Sequence, residues 1–227
     1  MAKGLDERWK VSDLKNDDEE EIKDYKSYID YELIEIEQYK NRKFKNPKLK
    51  RLANTYINIQ RNEREAIENQ DLVDSIFVRE WNKYQRKRYE LLLDINSIVG
   101  IPVQDKNSLD SILRAGKAIK EFNRVYGILV DTFNPKNFVV EEVTGVSEKE
   151  KRYIGDFENT TGHYINYIDI SIDFYDENDK VYSGFQFNPR YAWENGTKKS
   201  FEFSIPDSDT RFKYFKVNLG EKSFRFE

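Results

Sequence analysis

The chain has 227 residues, with 38 Lys and Arg against 42 Asp and Glu, no Cys, one His and one Met. The length allows one or two domains; the missing Cys excludes disulfides, thiolate nucleophiles and Cys-ligated metal centres, and the single His excludes a two-His metal site. A net charge of −4 argues against nucleic-acid binding by global charge, while 15 Tyr, 15 Phe and 3 Trp are too many for a disordered chain.

The segment from Met1 to Trp9 has no apolar run and no small-residue cleavage site, so it does not read as a signal peptide. No stretch approaches the roughly 18–20 apolar residues of a membrane helix, and the polypeptide taken alone is expected to be soluble. Met1 fits a start codon added to a mature fragment and a genuine cytosolic start equally. A helical period then runs over residues from about 10 to 133. The first helix is expected to start at Ser12 or Asp13, with the acidic run Asp17 to Glu21 in its early turns, where the helix dipole favours negative charge. Ile22, Tyr25, Ile29, Leu33 and Ile36 follow on one face. Asn41 to Pro47 reads as a basic loop, with Asn46 as N-cap and Pro47 in the first turn of a second helix. Leu49, Leu52, Ala53, Tyr56, Ile59 and Ile67 carry its apolar stripe. A third helix is predicted over 72–99, burying Val73, Ile76, Phe77, Trp81, Tyr84, Leu91, Leu92, Ile95 and Ile98, and closed by Gly100 and Pro102. Ser108 or Asn107 caps a fourth, through Leu109, Ile112, Leu113, Ile119, Phe122, Tyr126 and Leu129. Four amphipathic helices with short loops predict an antiparallel four-helix bundle over residues 1–134, a long dimerising coiled coil being the alternative.

The period then changes to two. In Ile168 to Phe174 apolar and polar residues strictly alternate; Asp176 to Asp179 reads as a turn, and Lys180 to Phe187 as the returning hairpin strand. Phe138 to Val143, Tyr153 to Glu158, Phe201 to Ile205, Phe215 to Leu219 and Phe224 to Phe226 read as further strands. About seven strands at this spacing predict an immunoglobulin-like β-sandwich over 135–227, held by aromatic packing in place of a disulfide. The charge shifts with the period: residues 1–136 hold 26 basic and 25 acidic side chains, and 137–227 hold 12 and 17. The fold class expected is α+β and multidomain, joined near Asn134-Pro135-Lys136-Asn137.

The stretch Tyr153-Ile154-Gly155-Asp156-Phe157-Glu158-Asn159-Thr160, with Ile170 to Val181, resembles an FxLYD domain over about 75 residues. Tyr175 and Asp176 match its naming motif, and Ile172 and Phe174 stand where Phe and Leu are usual. Lys43-Phe44-Lys45-Asn46-Pro47-Lys48-Leu49 through Ala53, with Tyr56, Ile57 and Gln60, resembles the helical region that often precedes this module. The resemblance implies an immunoglobulin-like module of a Gram-positive cell-surface lipoprotein, located outside the cell and tethered by an anchor that is not in this chain. It implies no enzymatic activity, no catalytic residues and no cofactor.

The candidate chemistries are few. His163 lies in the loop Asn159 to Tyr164, and no Gly-x-Ser-x-Gly elbow accompanies it. Asp173, Asp176, Glu177 and Asp179 offer oxygen ligands for calcium, but without EF-hand spacing, and the last three also suit a turn. With 42 acids, carboxylate pairs for hydrolysis are too numerous to single one out. The most polarised segment is Lys40 to Arg51, with Lys40, Arg42, Lys43, Lys45, Lys48, Lys50 and Arg51 basic and no acid among twelve positions. Arg86-Lys87-Arg88, with Arg64, Arg79 and Lys83, is a second basic cluster that would extend it; the competing reading is a helix-capping loop. Tyr182, Tyr191 and Trp193 are candidate contact aromatics, unless the Trp packs over the sandwich edge. Together these features predict a non-enzymatic binding module, monomeric or weakly dimeric, for a protein or cell-envelope polymer and not for nucleic acid. The alternatives are a hydrolase with a carboxylate pair between domains and a cytosolic or phage-encoded interaction protein.

Overall fold

The computed structural model describes residues 1–14, 21–68, 75–144 and 149–227. Helices come first: α1 (Ala2–Ser12), α2 (Ile22–Ile36) running into a short 3-10 turn (Glu37–Tyr39), α3 (Pro47–Ala66), α4 (Ser75–Val99) and α5 (Lys106–Thr132). Nine strands follow among the described residues: β1 (Val139–Thr144), β2 (Lys149–Glu158), β3 (Ile165–Ile168), β4 (Ser171–Tyr175), β5 (Val181–Gln186), β6 (Arg190–Trp193), β7 (Lys198–Pro206), β8 (Tyr214–Asn218) and β9 (Phe224–Phe226). No described helix is long and apolar enough to cross a membrane.

The described residues hold five α-helices where four are expected. Ser12 does not start a helix; it ends α1. The face of α1 carries only Leu5 and Trp9, one turn apart, with Arg8 buried beside them, too short a stripe to show a period. Asp17 to Glu20 and Val73 lie outside the described residues. At α2 the Glu21 amide donates to the Asp24 carboxylate at 2.9 Å. Asn46 caps α3 as expected, its side-chain oxygen accepting from the Lys48 and Leu49 amides at 2.9 and 3.1 Å. Gly100 ends α4 at φ +65°, in the left-handed region that favours glycine. The cap of α5 is Asp105, which accepts from the Ser108 amide at 3.0 Å, rather than Asn107 or Ser108 itself.

Two compact units result, Met1–Glu121 and Phe122–Glu227. The division falls within α5, earlier than the expected junction at Asn134. The reason lies in the stripe of α5. Leu109 and Ile112 share a core with Leu5, Ile36, Tyr56, Ile57, Leu92 and Ile95, whereas Val125 and Leu129 share one with the strands.

In the second unit the strands form three antiparallel sheets, ordered β1-β2-β7, β6-β3-β9 and β5-β4-β8. The expected strand over 168–174 is broken: Ile168 ends β3 and Ser171 starts β4. Backbone pairing still crosses the break, because the Phe187 amide donates to the Ile170 carbonyl and the Asp169 amide to the Ser223 carbonyl. On the partner strand Asn188-Pro189 separates β5 from β6, and Pro has no N–H to give the ladder. The two strands beyond the expected seven, among the described residues, are β3, which meets the expected strand only at Ile168, and β6, in a stretch expected to be a loop. Rings cross between sheets in place of a disulfide, Phe203 of β7 meeting Phe215 of β8 edge to face at 5.1 Å, and Phe133, just after α5, packs on Phe157 and Phe201 of the β1-β2-β7 sheet at 5.0 Å.

Candidate binding surface

The turn between α2 and α3 and the first residues of α3 gather seven cations from a dozen residues. Lys40, Arg42, Lys43, Lys45, Lys48, Lys50 and Arg51 are all exposed. Arg42 donates to Gln38 at 3.0 Å and lies over the Tyr39 ring at 5.0 Å. None of the seven makes an ion pair among the described residues. The carboxylates just upstream, on α2 and in the 3-10 turn that follows it, are already taken, Glu35 by Lys3 at 2.8 Å and Glu37 by Arg61 at 2.5 Å. The first turn of α3 contains no acid, so Lys48 and Lys50 stand at the positive end of the helix dipole. Each is there unfavourable by roughly a few tenths of a kcal/mol. A local rule broken without a structural return marks a place used for something else.

An apolar cleft of about 200 Å³ opens beside this turn. Its lining includes buried Ile36, Ile57 and Ile95, half-buried Tyr39, Phe44, Leu49 and Ala53, and exposed Val99. The rim alternates with the cations along the chain: Lys40 follows Tyr39, Lys43 and Lys45 flank Phe44, and Lys48 and Lys50 flank Leu49.

Arg88 of the second basic cluster does not join this surface. Arg88 is 1 % exposed and lies inside the helical unit. Its guanidinium donates to Glu32 through Nη2 at 2.6 Å and Nε at 3.2 Å. Arg8 donates to the same carboxylate at 2.7 Å, Gln60 does so at 2.8 Å, and the Tyr56 hydroxyl donates to it as well. Gln85 links both arginines to Glu63, whose Oε1 accepts from its amide at 2.6 Å. Burial works to raise the Glu32 pKa, but the charges of Arg88 and Arg8 outweigh it and hold the carboxyl below its ordinary range. Glu63 goes the other way: burial pushes it up to about 7, against the opposing pull of Arg8. Its Oε2 and the Gln60 Oε1 on the same helix are buried with no hydrogen-bond partner among the described residues. Of the other cations, Arg64 pairs with Asp30 and Glu68, and Arg79 and Lys83 both pair with Glu80.

The candidate aromatics lie in the second unit and divide by environment. Trp193 is a correction: it is fully buried, paired with Ile165 in the β3–β6 register, and its Nε1 donates to the Thr197 carbonyl at 2.9 Å. Half-buried Tyr182 donates its hydroxyl to Asp209 at 2.9 Å, beneath the Arg211 guanidinium; burial and then that bond push its pKa up to about 12. Tyr191 is 63 % exposed, in β6 rather than in a loop. His163 shares its Nδ1 with the Glu227 carbonyl at 2.9 Å, and its ring lies against Phe226. Asp176 accepts from the Asn178 and Lys180 amides at 2.9 and 3.0 Å, closing the turn expected there.

Sequence reasoning missed the cleft and the buried network. The cleft joins Met1, the stretch from Ile36 to Ile57 and the end of α4, so no local signal marks it. The network had one: Glu32, Gln60, Glu63, Gln85 and Arg88 each continue the apolar stripe of their own helix at spacings of three or four. No family model matches this chain, and no curated protein or solved structure matches it either.

Proposed function

We propose that this chain is a non-enzymatic binding module of a bacterial cell-surface lipoprotein, which uses the basic turn between α2 and α3 to engage an anionic polymer of the cell envelope. The carrying observation is that seven exposed cations face solvent with no carboxylate partner among the described residues, while neighbouring acids are paired elsewhere. In this reading α2 to α5 form the four-helix bundle, with α1 laid on α2, and the three sheets form an immunoglobulin-like sandwich. The resemblance to FxLYD modules is supported by the roles of the motif residues. Ile172 and Phe174 are buried, Tyr175 stacks on Tyr214 at 4.8 Å, and Asp176 closes the turn. The extracellular setting rests on that resemblance.

The test is binding of the full chain to teichoic acid over a salt series, with dextran as the uncharged control. The variant carrying Lys43→Glu, Lys45→Glu and Lys48→Glu is expected to lose about tenfold or more in affinity, and wild-type binding to weaken with salt. Binding that ignores either the reversals or the salt would overturn the proposal.

A further inference from the structure

The cleft beside the basic turn differs from the other concavities of the helical unit. The one formed by α1 and the α4–α5 loop is larger, about 710 Å³, but is lined by Asp6, Glu7, Asp13 and Asp105 together with two lysines. The cleft has an apolar lining, and its lining residues Phe44 and Leu49 are flanked in the chain by exposed Lys43, Lys45, Lys48 and Lys50, none of which makes an ion pair among the described residues. An apolar slot with a positive edge is complementary to one kind of molecule, an alkyl chain that ends in an anion. Its volume of about 200 Å³ lies below the roughly 300–1,000 Å³ of sites that enclose a whole small molecule, which suits the end of one chain.

We infer that this cleft binds a single-chain anionic amphiphile, of the long-chain carboxylate or alkyl phosphate class, with the chain on Ile36, Ile57 and Ile95 and the headgroup on Lys43, Lys45 and Lys48. The pairing rests on charge: Lys43 and Lys45 flank Phe44 and Lys48 precedes Leu49 in the chain, all three are exposed, and their flexible stems carry the ammonium groups that can turn toward a headgroup at the cleft mouth. The inference deepens the proposed function and rests on it, since the same cations serve both.

The experiment is calorimetric titration of the full chain with alkyl phosphates from hexyl to dodecyl, each below its micelle threshold. Affinity is expected to rise about threefold to fourfold per added methylene until the slot is full, and then to level off. Ala53→Phe fills the slot from its rim. It is expected to cost about tenfold or more in dodecyl phosphate affinity and to leave teichoic acid binding unchanged. Should that variant misfold by circular dichroism, Leu49→Phe narrows the same rim and carries the same expectation. Affinity independent of chain length, or unaltered in the folded rim variant, overturns the inference while leaving the polymer-binding proposal in place. Charge reversal at Lys43, Lys45 and Lys48 that alters neither ligand overturns both.

Discussion

Asn159 is the most heavily used polar side chain of the strand unit. It is 1 % exposed and spends every polar atom: Nδ2 donates to the His163 and Trp193 carbonyls at 2.9 and 2.8 Å, and Oδ1 accepts from the Thr161 amide and hydroxyl at 3.0 and 2.7 Å. Its backbone amide and carbonyl bond Thr197 and Gly196, so one residue ties the loop after β2 to the turn before β7. Truncation leaves several buried groups unsatisfied at once, each costing about 1–3 kcal/mol. Asn159→Ala is therefore expected to destabilise the chain by roughly 2–4 kcal/mol in urea denaturation followed by near-UV circular dichroism. Asn159→Asp, which keeps the acceptor but sets a buried carboxylate oxygen against the His163 and Trp193 carbonyls, should cost at least as much at neutral pH. A change near zero for the alanine variant would show the hub to be dispensable. Trp193 teaches the complementary point. Its type suits a binding anchor as well as a core ring, and only the register with Ile165 turns it inward.

At the scale of elements, two helix glycines do opposite work. A Cβ on Gly4 would lie 2.7 Å from the Tyr31 carbonyl oxygen and 2.9 Å from the Glu32 Cα, so α1 approaches α2 only because the side chain is missing. Gly127 in α5 meets nothing within 4 Å. Gly4→Ala is thus expected to destabilise by about 2 kcal/mol or more through backbone overlap, and Gly127→Ala to stabilise by about 0.5–1 kcal/mol by raising helix propensity. Thermal midpoints of the two variants moving in the same direction would contradict this account. The long helices and most strands were legible because burial imposes a period of 3.6 or two over many residues. Short α1, and the breaks at Asp169 and Asn188, were not, because the first has too few turns to show a period and the second depend on pairing between strands distant in sequence. The basic turn was legible as a run of residue types, whereas its apolar cleft exists only once α3 and α4 are brought together.

For the whole molecule the buried charges set how stability depends on pH. Glu63 is 0 % exposed and faces Arg8 from α1, Glu32 from α2 and Gln85 and Arg88 from α4. Its carboxyl titrates near 7 in the folded chain against 4.5 in the unfolded one. The folded state therefore holds a proton that the unfolded state has released. Its stabilising contribution is complete below pH 4.5 and is lost as the pH rises to 7, an effect on the order of 3 kcal/mol. Glu32 has the opposite sign. Its pKa is depressed, so its contribution is present above 4.5 and is lost as the pH falls through its folded value. The two slopes meet in mildly acid solution, where unfolding free energy by urea and far-UV circular dichroism should be greatest. Glu63→Gln keeps the shape and the neutral state at every pH. It is expected to flatten the decline from pH 4.5 to 7 while retaining the acid limb that belongs to Glu32. Glu32→Gln should do much more damage, because it leaves the Arg8 and Arg88 guanidinium groups buried without their carboxylate, a loss of roughly 3–5 kcal/mol. A wild-type profile that is level between pH 4.5 and 7, or a Glu63→Gln profile with the wild-type slope, would mean that Glu63 finds its proton's worth of stabilisation elsewhere.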